Sequence, residues 1–284
     1  MPMPDISVID ESVIDETRID DTVALSAVFI GPDDEPMQLD YSHIITEDGA
    51  PVDNLLSERQ QRLLVDSLYA SWRPPGDARA FVAMANVGLF YALHAPAYVP
   101  DALVSLDVRL PDDPFPKQNR SYFIWEYGKA PEIVVEIVSN RKGGELSDKV
   151  ANYARLGIPY YIVFDPYRYL GTEMLHVFTL RDLGYVKIAP GSLPPLGLGV
   201  TLWNGETEGM QGVWLRWLDA EGNLLLSGYE RAEQERRRAE VERQQADEAR
   251  QQAGEARQEA EIIYQRAEML AAKLRELGVD PDAL

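Results

Sequence analysis

The 284-residue chain contains no cysteine. Disulfides, zinc–thiolate sites, iron–sulfur clusters and thiol nucleophiles are thereby excluded. Histidine is scarce: His43, His94 and His176 are scattered without metal-ligand spacing, and no serine stands in a nucleophile elbow. All three read as structural. The G-x-x-x-x-G-K-[ST] phosphate loop is missing, and the glycines of LGLGV near residue 198 precede no helical pattern, so they read as a turn. No apolar run approaches the roughly 18 residues that span a bilayer. The N-terminal MPMPDISVIDESVIDE has no basic stretch leading into an apolar one, so no signal peptide is expected. A soluble, cytoplasmic protein is the expectation. Positive charge is short as well, with 27 Lys/Arg against 47 Asp/Glu and a net charge of −20. Phosphate-binding proteins are generally basic, so this balance at first weighs against nucleic acid.

Location qualifies the total. Residues 1–54 hold 14 Asp/Glu and one Arg, and residues 229–284 hold 14 Asp/Glu and 10 Lys/Arg. The middle, 55–228, is near neutral with 19 Asp/Glu and 16 Lys/Arg. A near-neutral domain can still carry a local basic groove. Three regions follow: an acidic, partly irregular arm over 1–54, with one short strand near Val23–Ile30; a globular domain over 55–228; and a charged helix over 229–284.

The globular part alternates its periods. In SERQQRLLVDSLYASW, Ser57 is a plausible N-cap and Gln60 has capping-box spacing. Leu63, Leu64, Ser67 and Leu68 recur at helical spacing until Pro74-Pro75. AFVAMANVGLFYAL, ALVSLDVRL, EIVVEIVS and YYIVFDP are then short runs rich in Val, Ile, Tyr and Phe, as strands are. Between the last two lies GGELSDKVANYARLGIP, where Leu146, Val150, Tyr153 and Ala154 share a helical face and Gly157 and Pro159 close the segment. Further strands are expected at Leu175–Thr179 and Tyr185–Ile188. The order predicts an α/β sheet core with helices on its faces.

From about Tyr229 to Leu277 the pattern is one long helix. Alanine recurs every seven residues from 232 to 267, Leu274 continues the series, and the positions three later end on Ile263, Leu270 and Leu277. This is an a/d heptad pattern, weak at first and apolar at its end. It fits either a solvated helix laced with charge pairs or a coiled coil that dimerises the chain or recruits a partner. Gly254 in its middle costs about 1 kcal/mol against Ala.

Hydrolysing a phosphodiester at neutral pH needs a hydroxide-like nucleophile and charge stabilisation at phosphate, and a hard divalent cation supplies both. Mg²⁺ is commonly held by one or two carboxylates and keeps several waters. Asp101 opens one predicted strand. Glu136 lies among Ile133, Val134, Val135, Ile137 and Val138, where an unpaired carboxylate is costly to bury. Either a metal or a lysine would satisfy it.

In order, Pro100-Asp101, Pro131-Glu132 through Glu136 to Ser139, Asp148-Lys149 with Tyr153, Gly157-Ile158-Pro159 and Asp165-Pro166 resemble the Uma-two family of restriction-endonuclease-like proteins. That family is a branch of the PD-(D/E)XK nuclease superfamily. The resemblance covers about 48 to 228. It implies a restriction-endonuclease-like mixed sheet flanked by helices, and a Mg²⁺- or Mn²⁺-dependent endonuclease acting on DNA. It also implies site residues: Asp101 and Glu136 as metal ligands, Val138 through its backbone carbonyl, and Lys149 beside the phosphate. Glu58 is a further candidate, since related folds send an acidic residue from the first helix into the site. One departure is clear. The superfamily lysine stands two residues after the glutamate, and here that position is Val138. Lys149 is the residue at the position used in this branch, and Lys142 is an alternative. Asp148 is expected to support Lys149 or cap its helix, Asp107 to lie at the surface, and Glu132 to be exposed at its strand start. Trp203, Trp214 and Trp217 fit core packing better than a base-stacking platform. The displaced lysine and the acidic balance keep a second function open: a weak or inactive nuclease-fold scaffold that binds DNA or protein, with the C-terminal helix as its interaction surface.

Overall fold

The structure is a computed structural model that describes residues 54–76, 79–139, 144–182 and 184–276. The acidic arm with its expected strand, His43 and Lys142 lie outside the described residues. The chain divides at Leu225/Leu226 into two compact units.

The first unit runs α1 (Leu55–Ser71), β1 (Phe81–Ala85), β2 (Leu89–Phe90), β3 (Ala102–Leu106), β4 (Tyr122–Phe123), α2 (Ile124–Tyr127), β5 (Ile133–Ile137), α3 (Asp148–Arg155), β6 (Tyr160–Phe164), β7 (Leu175–Arg181), β8 (Gly184–Ile188), β9 (Ser192–Leu193), β10 (Leu198–Thr207) and β11 (Met210–Leu218). Six strands form one sheet in the order β1-β3-β5-β6-β7-β8, and β9–β11 form a second sheet. Neighbours in the large sheet are antiparallel except β5 and β6, which are parallel and joined through α3. A parallel pair needs such a crossover. Central strands are covered on both faces, which is why β5 and β6 read as nearly unbroken apolar runs.

The two faces of the sheet carry separate cores. Leu64 and Leu68 of α1, with Trp72 at its C-cap, pack with Ala102, Val104, Ile133, Val135 and Ile137 on one face. Tyr153 of α3 packs with Leu103, Val134, Val138, Tyr161 and Val163 on the other. By the two-residue period of a strand, Glu136 shares the α3 face with Val134 and Val138.

Several local expectations change. Asn54 caps α1 by accepting from the Ser57 N–H at 3.0 Å, so the helix starts before Ser57. Ser57 is buried inside the helix. Gln60 makes no capping box either: its side-chain amide pairs with the Leu215 backbone in both directions, at 2.9 Å each, and ties α1 to β11. Tertiary pairing outbids a local cap here because Gln60 is fully buried. Leu146 precedes α3 and is exposed rather than part of its packed face. Only Gly197 of LGLGV is a turn residue, with φ +60, and Leu198 onward is strand β10. Gly157 closes α3 with φ +74, in the left-handed region that favours glycine. Trp214 and Trp217 are buried, and the Trp217 indole donates to the Leu64 carbonyl at 3.0 Å. Trp203 lies under the Arg216 guanidinium, 5.0 Å from its ring centroid.

The second unit is α4 (Gly228–Glu276), whose side chains are all unburied. Ser227 and Glu230 form a reciprocal capping box at its start: Glu230 accepts from the Ser227 N–H at 2.8 Å, and the Ser227 hydroxyl accepts from the Glu230 N–H at 3.2 Å. Among the described residues no helix is long and apolar enough to cross a membrane.

Candidate active site

Two strand ends bring the first two carboxylates together. The antiparallel ladder pairs Ala102 with Val135. One residue beyond the ladder, Asp101 lies near enough for its charge to act on Glu136. Asp101 is held from two sides. Its Oδ2 accepts the Ile137 N–H at 2.6 Å, and its Oδ1 accepts the Gln61 amide from α1 at 2.5 Å.

Helix α3 supplies the rest. Lys149 donates to Glu136 Oε2 at 2.7 Å, and the Tyr153 hydroxyl donates to Glu136 Oε1 at 2.6 Å. Residues 149 and 153 are one turn apart, so both reach the same carboxylate from one helix face. Glu145, one turn earlier in sequence, brings its Oε1 to 3.4 Å from the same ammonium. Lys149 therefore faces inward, with its side chain only 32% exposed. Behind these groups the Tyr153 ring meets Tyr98 and Tyr161 edge-on or tilted, at 5.5 and 5.2 Å.

Charge is unbalanced among the described residues. Asp101, Glu136 and Glu145 surround one lysine. Burial pushes the Glu136 carboxyl up to about 7; Lys149 opposes this, and the like charge of Asp101 adds to it. Glu136 itself is 3% exposed. Burial alone would lower the Lys149 pKa, but Glu136, Glu145 and Asp101 together hold it above its ordinary value, so it stays an ammonium. The Tyr153 and Tyr161 phenols are pushed up, by burial first and then by the surrounding carboxylates, and remain hydrogen-bond donors. Like charges near each other disfavour the charged form. A divalent cation would relieve this cluster.

Asp101, Glu136 and Lys149 thus come together. Val138 is fully buried at the end of β5, its N–H held by the Phe164 carbonyl at 2.8 Å. Glu58 is placed elsewhere: its side chain is 45% exposed and pairs with Arg62 at 3.4 Å. The α1 side chain that meets Asp101 is Gln61, three residues later. Asp148 is exposed in the first turn of α3. Asp107 lies at the surface, paired twice with Arg79 at 2.6 Å. Glu132 corrects its expectation. Its side chain is largely buried, because Oε1 pairs with Lys129 and Oε2 accepts the Leu106 N–H at 2.8 Å. His94 is exposed, and His176 sits on β7 within 3.5 Å of Glu173.

Gln61, Glu145 and Tyr153 were not among the predicted site residues. The four-residue spacing of Lys149 and Tyr153 was the available signal, since it places both on one face of α3. Gln61 carried none, because only the packing of α1 shows which of its polar residues meets Asp101. Among the described residues no three or more His, Cys, Asp or Glu side chains converge as a ready-made metal cluster. Two carboxylates plus water are nonetheless a sufficient protein contribution for Mg²⁺.

No curated protein matches the chain. A family model, Uma2, described as a putative restriction endonuclease, matches residues 45–199. That span contains every residue of the cluster, and stops short of 200–228, which the sequence resemblance had included. More than half of the chain is matched, and the chain belongs to the Uma2 family.

Proposed function

We propose that this protein is a metal-dependent endonuclease that hydrolyses phosphodiester bonds in DNA. The observation that carries this reading is the approach of Asp101 to Glu136 at the end of β5, with Lys149 on Glu136. The family's description, which names restriction endonucleases, supports DNA as the substrate. The donor set is oxygen-only and anionic, which suits a hard cation such as Mg²⁺ or Mn²⁺. Asp101 and Glu136 would hold it, with the Val138 carbonyl as a further oxygen ligand. Bound there, it supplies a Lewis acid for the phosphoryl oxygen and an acidified water.

The remaining work falls to the chain's own residues. Gln61 and the Ile137 N–H orient Asp101, and Tyr153 orients Glu136. Lys149 brings a fixed positive charge to the place where phosphate charge must be stabilised. The test is cleavage of supercoiled plasmid by the full chain with Mg²⁺ or Mn²⁺, beside an Asp101→Ala/Glu136→Ala variant. Metal-dependent cutting that the variant lacks supports the assignment. A folded wild type that cuts no plasmid under any divalent cation argues against it.

A second reading has its own observation. Helix α4 is 49 residues long without a buried side chain, and Ile263 and Leu270 are both exposed at heptad positions. We infer from this that α4 pairs with a second copy or with a partner helix, so that the protein acts as a scaffold with or without cleavage. Sedimentation of the full chain beside an Ile263→Lys/Leu270→Lys variant separates a homodimer from a monomer that awaits a partner.

A further inference from the structure

The ammonium of Lys149 is shared by two buried carboxylates, and only Glu136 belongs to the pair that would hold a cation. Glu145 is the other. It is 6% exposed, and its Oε2 is buried without a hydrogen-bond partner among the described residues. Buried oxygens of this kind are nearly always satisfied, so an orphaned one calls for an occupant. The residue is also well anchored. Gly144 turns the chain just before it with φ +64, and its own carbonyl accepts the Tyr161 hydroxyl at 2.8 Å. These contacts hold its backbone, and its side chain is buried beside Lys149.

We propose that Glu145 is a positioning residue that receives the Lys149 ammonium when a divalent cation occupies the Asp101–Glu136 pair. This rests on the metal-dependent reading above. Without a cation, Lys149 is the counter-ion of Glu136. A dication on Glu136 repels the ammonium, which then needs another anion close by. Glu145 Oε1 is already within 3.4 Å, and Oε2 has room to accept. The transfer keeps the ammonium beside the cation without competing for its ligand, at the edge where a phosphate would approach. Lacking Glu145, Lys149 has only two choices. It stays on Glu136 and opposes the cation, or it leaves through its 32% exposed side and is lost to the site.

The experiment is a double-mutant cycle read by Mn²⁺ binding rather than by cleavage. Free Mn²⁺ is measured by electron paramagnetic resonance over the full chain as wild type, Glu145→Gln, Lys149→Met and the double variant. Glu145→Gln is expected to weaken Mn²⁺ binding about tenfold or more, the size usual for the partners that orient a metal site. In the Lys149→Met background the same substitution should change nothing, because no ammonium is left to relocate. Equal binding by wild type and Glu145→Gln overturns the proposal. An equal loss in both backgrounds also overturns it, by making Glu145 a direct ligand. Should Glu145→Gln fail to fold, Glu145→Asp keeps the charge but draws it back by one methylene, and the same cycle is read with a smaller expected loss. A wild type that binds no Mn²⁺ is a separate result, and it sinks the metal reading itself along with this inference.

Discussion

Strand β5 is flanked by one glutamate at its start and carries another near its end, and the two meet different fates. Glu132 pairs with Lys129 and accepts the Leu106 N–H, while Lys129 also donates to the Leu106 carbonyl at 3.0 Å. That arrangement is balanced: Glu132 with Lys129 against the backbone of β3, and beside them Asp107 with Arg79. Glu136 likewise has a lysine, yet it shares that lysine with Glu145 and faces Asp101. Both glutamates are largely or fully buried carboxylates with a cationic partner, so neither burial nor pairing by itself tells a structural group from a site. The charge balance of the neighbourhood does. Glu132 is neutralised, whereas among the described residues the Glu136 end gathers three carboxylates around one lysine, a surplus that a divalent cation would offset.

Four substitutions test the contrast. The largest expected effect is on cleavage. Glu136→Gln should lower metal-dependent plasmid nicking by about two orders of magnitude or more, as loss of a key electrostatic group does, while Glu132→Gln leaves it near the wild-type rate. Comparable losses in both would dissolve the distinction.

Stability should reverse the order. In chelator-treated protein, Glu132→Gln is expected to cost about 1.5–3 kcal/mol, the range for hydrogen bonds to charged groups. Glu136→Gln should cost less or even stabilise, because it removes a like charge near Asp101. Urea unfolding of both variants measures this directly.

A pH scan sharpens the same point. The folded Glu136 carboxyl is raised to about 7 from an ordinary 4.5, so between those values the folded protein binds a proton that the unfolded chain does not. Stability therefore falls as pH rises through about 7, and the gain from protonation is complete only below about 4.5. The metal-free wild type should melt at a higher temperature at pH 6 than at pH 8, and Glu136→Gln should lose that difference. A saturating divalent cation should flatten it too, since the cation and the proton compete for one carboxylate.

The smallest effect is expected at Glu58. Its exposed pairing with Arg62 predicts a stability change under about 0.5 kcal/mol for Glu58→Ala. Gln61→Ala, which strips a donor from Asp101, should affect Mn²⁺ binding more. A larger cleavage loss at Glu58 than at Gln61 would mean that Glu58 swings into the loaded site.

Much of the fold was legible because its signals are local. The runs that became β3, β5 and β6 are dense in Val, Ile and Tyr, and their ends are marked by Asp, Gly or Pro. α1 was readable from its apolar spacing, but its start was not: Asn54 and Ser57 both suit a cap, and the choice turned on Gln60 being drawn into a tertiary pair with Leu215. LGLGV misled because glycine favours turns in isolation, whereas the pairing of Gly199 with Leu218 holds that segment as strand. In the site, Asp101 and Glu136 stood out as charged residues at or inside apolar strands. Glu145 did not, because an acid four residues before a lysine is ordinary on any charged helix.

The sequence by itself determined the alternation of strands and helices, the residue types available for chemistry, and the absence of any thiol. Those are properties of composition and of periods two and 3.6, which each segment carries alone. Tertiary structure decided which acids meet. The register of β3 against β5 brought Asp101 to the Glu136 end of β5, and the crossover through α3 returned Lys149 and Tyr153 to the same carboxylate. It also closed Glu132 into a neutral pair and left Glu145 with an oxygen unfilled among the described residues. Long-range pairing and burial govern these outcomes, and a buried charge depends on every neighbour that the fold gathers around it.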